Sequence, residues 1–187
     1  MCVGFVKVQR IFPLARYFSK KDFLQEGEND MATQNVTVTV TGIQKEIISR
    51  KGDLYTVSAQ ENRTETVSQG TYSCVKDKHY LIYEEDLGEG YVTGNTVKIY
   101  DGGFEVIKKG AVGAHMYFKA GQRDEGWYDT PYGRFAMALE VKTVEITEQK
   151  PQGDKPGSLR AGATYVMELN GEPTSRNQIC IVAEGIQ

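Results

Sequence analysis

A chain of 187 residues is the size of one domain, or of one domain with an added segment. Its net charge of −3 argues against a general nucleic-acid binder, because such proteins usually carry a strongly basic face. No apolar run approaches the roughly 20 residues that a membrane-spanning helix needs, so we expect a protein that contacts neither nucleic acid nor membrane.

The first part of the chain differs in composition from the rest. Residues 1–21 contain five basic and no acidic residues, which leaves 17 basic against 25 acidic residues in the remainder. Lys7, Arg10 and Pro13 interrupt the apolar stretch, unlike the continuous core of a secretory signal. An amphipathic targeting helix is one interpretation, and a non-core extension is the other. We expect residues 1–33 to be an N-terminal extension and residues 34–187 to form the folded domain.

From residue 35 onward, apolar residues recur with a period of two. Val36, Val38 and Val40 alternate with threonines, which is typical of a half-buried antiparallel strand. Loops are predicted at Arg50–Gly52, Ala120–Gly126 and Gln149–Leu159. Further strands are predicted at residues 54–60, 64–69, 70–75, 79–84, 96–100, 104–108, 114–119, 135–146, 163–169 and 179–183.

Two local patterns refine this prediction. Asp101-Gly102-Gly103 lies between two alternating runs and indicates a tight hairpin. The apolar phase slips by one residue between Val141 and Val144, which predicts a β-bulge. Eight to ten short strands at hairpin spacing, with no convincing helix, predict an all-β sandwich or barrel. We expect a single antiparallel up-and-down barrel, since closure removes exposed sheet edges.

The three cysteines, Cys2, Cys74 and Cys180, form no CxxC pair, so neither a disulfide framework nor a zinc site is predicted. Cys74 and Cys180 lie in strand-like runs, where a free cysteine usually packs as a small buried residue. Reduced cysteines favour a cytoplasmic location.

Several segments together resemble a known family of small bacterial proteins. They are Tyr80-Leu81-Ile82-Tyr83-Glu84-Glu85, Asn95-Thr96-Val97-Lys98-Ile99, Val106-Ile107-Lys108-Lys109-Gly110, Met116-Tyr117-Phe118, Tyr128-Asp129-Thr130-Pro131-Tyr132-Gly133 and the strand 163–169. The order of these segments resembles the YwiB-like family, a domain of unknown function, over roughly residues 34–184. The resemblance implies a calycin-like (lipocalin-like) β-barrel. It implies no activity, and a fold of this kind hosts many functions.

The most unusual segment holds the only tryptophan with tyrosines, an acid and an arginine. One interpretation is a strand entry in which Pro131 and Gly133 shape the backbone and aromatic side chains close the barrel. The other is a ligand-binding barrel mouth. Tyr83 shares a strand face with Leu81, and either face could line the lumen. The candidate ligand-binding residues are Arg123, Trp127, Tyr128, Asp129, Thr130, Tyr132, Arg134, Tyr83 and Tyr117.

The ionisable residues form no recognisable catalytic motif. His79 and His115 could meet across strands and bind a metal with Glu84 or Asp129, but no ligand spacing supports such a site. We expect them to be solvated or hydrogen-bonded histidines at strand ends. The acids at residues 84–86 resemble solvated turn charges. We therefore predict no catalytic residue, no metal and no cofactor.

Three functions remain open from the sequence. The first is a cytoplasmic barrel that binds a small, partly apolar molecule in its lumen. The second is a solid-core structural or interaction protein, which meets a protein partner or forms a homodimer. The third is a hydrolase or isomerase that uses the histidines or the acids at residues 84–86, and it would need those groups in one cleft.

Overall fold

The computed structural model describes residues 33–52 and 54–187, and these residues form one antiparallel sheet. Eleven strands follow one another with no α-helix between them in this part of the chain. They are β1 (Gln34–Lys51), β2 (Leu54–Val57), β3 (Asn62–Val75), β4 (Lys78–Asp86), β5 (Val92–Tyr100), β6 (Gly103–Gly110), β7 (Gly113–Lys119), β8 (Arg123–Thr130), β9 (Gly133–Gln149), β10 (Gly157–Leu169) and β11 (Glu172–Ile186).

The sheet closes on itself through its first and last strands. From β3 to β11 each strand pairs with its neighbour in the sequence, and β1 pairs with both β3 and β11. Ten strands therefore form a closed up-and-down barrel, and β2 is an extra strand that pairs with β1. The prediction of an all-β antiparallel barrel is confirmed.

Alternation along each strand separates the lumen from the outer wall. Residues that lie opposite each other in neighbouring strands point to the same side of the sheet. Val38 lies opposite Ala183 on β11, and both side chains are fully buried, so this side faces the lumen. The lumen-facing residues of the other strands follow from the register, and Tyr83 is on this side with Leu81, as its strand face predicts.

The middle of the lumen is filled by large side chains. Phe104 and Phe118 stack with their ring centres 4.6 Å apart, and Tyr165 contacts Phe118 edge-on at 5.3 Å. Leu81 and Leu139 are also fully buried. At mid-height this barrel has a packed core, which excludes a channel running through it.

The structure confirms the predicted bulge and corrects two predicted loops. Thr164 and Tyr165 of β10 pair with Thr143 and Val141, so Lys142 is the extra residue. The predicted loop Ala120–Gly126 is wrong from residue 123 onward, where β8 begins. The first inward positions of β8 hold Asp124 and Gly126, so the sequence there shows no alternation of apolar and polar residues. The loop Gln149–Leu159 is likewise shorter, because β9 ends at Gln149 and β10 begins at Gly157.

Smaller differences concern strand ends. Leu159, which is predicted in a loop, lies in β10 and is 1% exposed. Two residues earlier, Gly157 lies so close to the backbone carbonyl oxygen of Gln149 that a side chain would not fit. The predicted turn Arg50–Gly52 begins later, since β1 continues to Lys51. Cys74 is exposed and Cys180 is half-buried, so the expectation that both are buried is wrong. Cys74 comes just before the β3–β4 turn, where the barrel ends.

The predicted N-terminal extension, residues 1–33, lies outside the described residues except for Thr33 and stays a prediction. Among the described residues there is no helix with the length and apolar character needed to cross a membrane.

One seam of the barrel has few backbone pairs. β7 and β8 pair only through Gly113 with Asp129 and Ala114 with Tyr128. Further along, the carboxylate of Asp124 accepts a hydrogen bond from the backbone N–H of Tyr117 at 2.9 Å. A side chain thus replaces a ladder hydrogen bond where the two strands separate.

We predict that Asp124→Ala lowers the free energy of unfolding by about 1 kcal/mol, because the Tyr117 N–H loses its partner. Urea denaturation measures the change. The matched control is Asp154→Ala in the exposed β9–β10 loop, which is expected to change stability by less than about 0.5 kcal/mol. Equal stability of the two variants would show that Asp124 does not hold the seam.

Candidate functional site

The two ends of the barrel differ in the side chains that face the lumen. We define the upper end as the one that holds the turns after β4, β6, β8 and β10. Below it lies the apolar core, and near the lower end His79 and Tyr72 also face the lumen. At the upper end, lumen-facing positions hold polar groups on both sides, including the buried residues Glu85, Thr93, Asn95, Ser175 and Asn177.

A buried ion pair is the centre of this arrangement. Lys108 Nζ donates hydrogen bonds to Glu85 Oε2 at 2.6 Å and to Asn95 Oδ1 at 2.8 Å. The Thr66 hydroxyl is 3.4 Å from Glu85 Oε1. The Glu85 side chain is 8% exposed and that of Lys108 is 21% exposed, so the pair is shielded but can be reached from solvent. We call Thr66, Glu85, Asn95 and Lys108 the polar cluster.

The register explains why these groups meet. Asn95 lies opposite Tyr83 on one side and opposite Lys108 on the other, and Glu85 lies opposite Thr93. Each belongs to the inward phase of its strand, two or four residues from a core side chain such as Val97 or Val106. The Asn95 amide donates to the Thr93 carbonyl at 3.1 Å, which fixes the orientation of its oxygen toward Lys108.

Tyrosines adjoin the polar cluster inside the barrel. Burial, and then the nearby charge of Glu85, raise the pKa values of Tyr83 and Tyr128. Burial, and then the neighbouring Tyr128, raise the pKa of Tyr165 to about 12. All three phenols are therefore uncharged near neutral pH, and their hydroxyls can both donate and accept hydrogen bonds.

The opposite wall of the upper end is polar, and apart from Glu46 at its exposed rim it is uncharged. Asn177 donates to the Ser175 hydroxyl at 2.9 Å, and Gln44 donates to the same hydroxyl at 3.2 Å. Between the two polar walls, lumen-facing apolar side chains are only partly buried, in contrast to those at mid-height. These are Val40, Phe135, Met167, Leu169 and Ile179. The upper end thus combines apolar surface with a few fixed polar groups, as small-molecule sites do.

The predicted site residues do not form one site in the structure. Tyr83 and Tyr128 face the upper lumen. Tyr117 lies on the outer wall, and Thr130 and Tyr132 lie at the β8–β9 turn, where Tyr132 is 85% exposed. The remaining four residues are on the outer wall along β8 and β9, and these are Arg123, Trp127, Asp129 and Arg134.

The outer-wall residues pair with one another rather than with the lumen. Arg134 Nη2 is 3.0 Å from Asp129 Oδ2, and the guanidinium lies 5.7 Å from the centre of the Trp127 ring. Arg123 makes two hydrogen bonds to Glu168, at 2.9 and 2.7 Å, across β9. A cavity of about 390 Å³ is lined in part by Arg123, Trp127 and Glu168.

A second buried carboxylate, Glu105, lies on the outer wall. His115 Nε2 is 2.7 Å from Glu105 Oε2, and Lys98 Nζ is 3.3 Å from Oε1. Burial alone would raise the pKa of Glu105, but hydrogen bonds from His115, Tyr117 and Lys98 outweigh it and lower the pKa. The side chains of Lys98, Glu105 and Tyr117 line part of a cavity of about 540 Å³, together with Tyr100.

The two histidines are on opposite sides of the barrel wall. His79 faces the lumen near its lower end, where Nδ1 is 2.9 Å from the Tyr72 hydroxyl. His115 is on the outer wall, so the idea that they meet to bind a metal is wrong. Within residues 33–52 and 54–187, no three His, Cys, Asp or Glu side chains are grouped so that they could hold a metal ion.

Sequence reasoning missed three members of the polar cluster as site residues, and it treated Glu85 as part of a solvated acid run. A signal was present in the strand phase. Glu85 follows Leu81 and Tyr83 at steps of two, and Lys108 follows Phe104 and Val106 in the same way. A charged residue that continues the apolar phase of a strand is predicted to point inward. Which of these inward-pointing residues lie next to each other can be known only from the register between the strands.

Comparison with known proteins gives a family and a fold. Residues 48–181, more than half of the chain, match the family described as "Domain of unknown function (DUF1934)". The crystal structure of ywiB protein from Bacillus subtilis superimposes with a TM-score of 0.58 at 21% identity, covering 84% of this chain and 96% of that one. No curated protein matches the chain. The two matches confirm the resemblance to the YwiB-like family, and the structural match shows the fold alone.

We predict a pH-dependent contribution of Glu105 to stability. Because its pKa is lowered in the folded protein, its stabilising effect is present above the ordinary value of 4.5 and is lost as pH falls through the lowered value. The difference in unfolding free energy between wild type and Glu105→Gln should therefore shrink below about pH 4.5.

Urea denaturation over a series of pH values measures this difference, and Glu172→Gln at an exposed position of β11 is the control. A difference between wild type and Glu105→Gln that stays constant down to about pH 3 would contradict the assigned hydrogen bonds.

Proposed function

The chain belongs to the family described as Domain of unknown function (DUF1934), and that description names no activity. We propose from the geometry that the barrel binds a small, partly apolar molecule at the upper end of its lumen. The observation that carries this proposal is the ion pair between Glu85 and Lys108.

Partial burial of this pair is weak evidence for a stabilising role. Removing two charges from water costs several kcal/mol per ion, and a packed apolar pair of similar volume is often as stable or more so. The barrel closes through backbone pairing, and its apolar core cluster includes neither residue. A few polar groups fixed beside apolar side chains inside a barrel are typical of small-molecule binding sites.

The shape of the upper end supports the same proposal. The layer of Phe104, Phe118 and Tyr165 forms a floor, and the partly buried apolar side chains stand above it beside the polar cluster. A ligand would place its apolar part against residues such as Met167 and Leu169. Its polar part would approach Asn95, Lys108 and the tyrosine hydroxyls.

The alternative functions fit fewer of these features. A solid core describes the middle of the barrel but does not account for a charged pair in its interior. A hydrolase or isomerase built on the two histidines is not supported, because these lie on opposite sides of the wall. Cytoplasmic location remains part of the proposal, and free thiols at Cys74 and Cys180 are compatible with a reducing compartment.

The test uses two neighbouring residues on opposite sides of β3. Thr66 faces the lumen beside Glu85, whereas Val67 is 63% exposed on the outer wall. Thr66→Trp should fill the upper lumen and Val67→Trp should leave it open. The probe is N-phenyl-1-naphthylamine, an uncharged molecule whose fluorescence rises in apolar surroundings.

We expect saturable binding of the probe to wild type and to Val67→Trp, and binding about tenfold or more weaker to Thr66→Trp. Circular dichroism and urea denaturation establish that both variants are folded. Equal affinity of the two variants, or no saturable binding to wild type, would contradict a ligand site in the upper lumen.

A further inference from the structure

We infer that the site in the upper lumen selects a ligand whose polar group is uncharged and both donates and accepts hydrogen bonds, the chemistry of an alcohol or an amide. This inference rests on the proposed function and names the class of ligand for that site. It follows from the charges and hydrogen-bonding groups that face the lumen there.

The charges at the upper end cancel within the site. Glu85 and Lys108 are in direct contact, and the other groups of the two walls are neutral: Thr66, Asn95, Tyr83, Tyr128, Gln44, Ser175 and Asn177. Glu46 lies opposite Ser175 on β1, but it is exposed at the rim, where water screens its charge. Among the described residues that face the upper lumen, a ligand therefore meets no uncompensated charge below the rim.

A charged ligand would have to break the existing pair. For an anion, the one compensating group is Lys108, which already donates to Glu85 and Asn95. The carboxylate of Glu85 would repel the anion at short range. For a cation, Glu85 would be the compensating group and Lys108 would repel the ligand. Because the ligand charge must also leave water, these costs are not recovered.

A neutral group with donors and acceptors meets suitable partners. Lys108 has one N–H left after its two hydrogen bonds, and the Thr66 hydroxyl oxygen can accept. The hydroxyls of Tyr83 and Tyr128 can do either, because a phenol is protonated at neutral pH. An amide or an alcohol that enters the site loses its hydrogen bonds to water and forms new ones with Lys108, Thr66 and the tyrosine hydroxyls.

The test compares two probes with the same ring system. N-phenyl-1-naphthylamine is neutral, and 1-anilinonaphthalene-8-sulfonate adds one negative charge. Wild type should bind the neutral probe about tenfold or more tightly than the anionic probe. In Glu85→Gln, Lys108 loses its counter-charge, so affinity for the anionic probe should rise and the ratio should fall about fivefold or more.

The matched control is Glu84→Gln, which changes the net charge equally but lies on the outer side of the same strand. It should leave the ratio unchanged. Glu85→Gln leaves the partly buried charge of Lys108 without its partner, and a variant of this kind can fail to fold. The double variant Glu85→Gln with Lys108→Met is neutral again and should keep the wild-type preference for the neutral probe.

The outcomes separate the inference from the proposed function. The inference is overturned if wild type binds both probes equally, if folded Glu85→Gln shifts the ratio no more than Glu84→Gln, or if the double variant loses the preference. In each case the effect of Thr66→Trp on the neutral probe would still support a lumen site. If the neutral probe does not bind wild type saturably, the proposed function itself fails.

Discussion

The backbone pairing between β1 and β11 is the constraint on which the rest of this structure depends. Once the sheet is closed, every strand has one side that faces a lumen of fixed width and one that faces water. The period of two along a strand then decides which chemistry is inside. At mid-height that rule collects Phe104, Phe118 and Leu139 into a packed core. At the upper end the same rule turns Glu85 and Lys108 inward, where their charges meet.

The core and the site therefore contribute differently to stability. Apolar burial and aromatic packing at mid-height favour the folded state, whereas the buried pair requires the removal of water from two ions. Such a division is expected where a rigid scaffold holds polar groups in place for binding. The outer-wall carboxylate Glu105 has partners from two neighbouring strands, Lys98 on β5 and His115 on β7, and is consistent with a structural role.

Much of the fold could be predicted from the sequence, and little of the site could. Local sequence patterns predicted the strands correctly where apolar residues alternate, at residues 36–40 and 135–141. The slip in that alternation likewise predicted the bulge at Lys142. The strand β8 escaped prediction because Asp124 and Gly126 occupy its inward positions. The aromatic segment at residues 127–134 is unusual in composition, but of its aromatic side chains only Tyr128 faces the lumen. The polar cluster joins four strands, and its geometry depends on a register that no single strand reveals.

The most direct test of a ligand site in the upper lumen is a methionine-methyl NMR spectrum recorded with and without N-phenyl-1-naphthylamine. Met167 is partly buried in the upper lumen, and Met116 and Met137 belong to the buried core that it packs against. The indole of Trp127, the single tryptophan, reports on the outer wall. The account predicts that the probe shifts the Met167 methyl signal most, shifts those of Met116 and Met137, and leaves the Trp127 indole signal in place. Shifts confined to Trp127, or no shift of the three methyl signals at saturating probe, would contradict it.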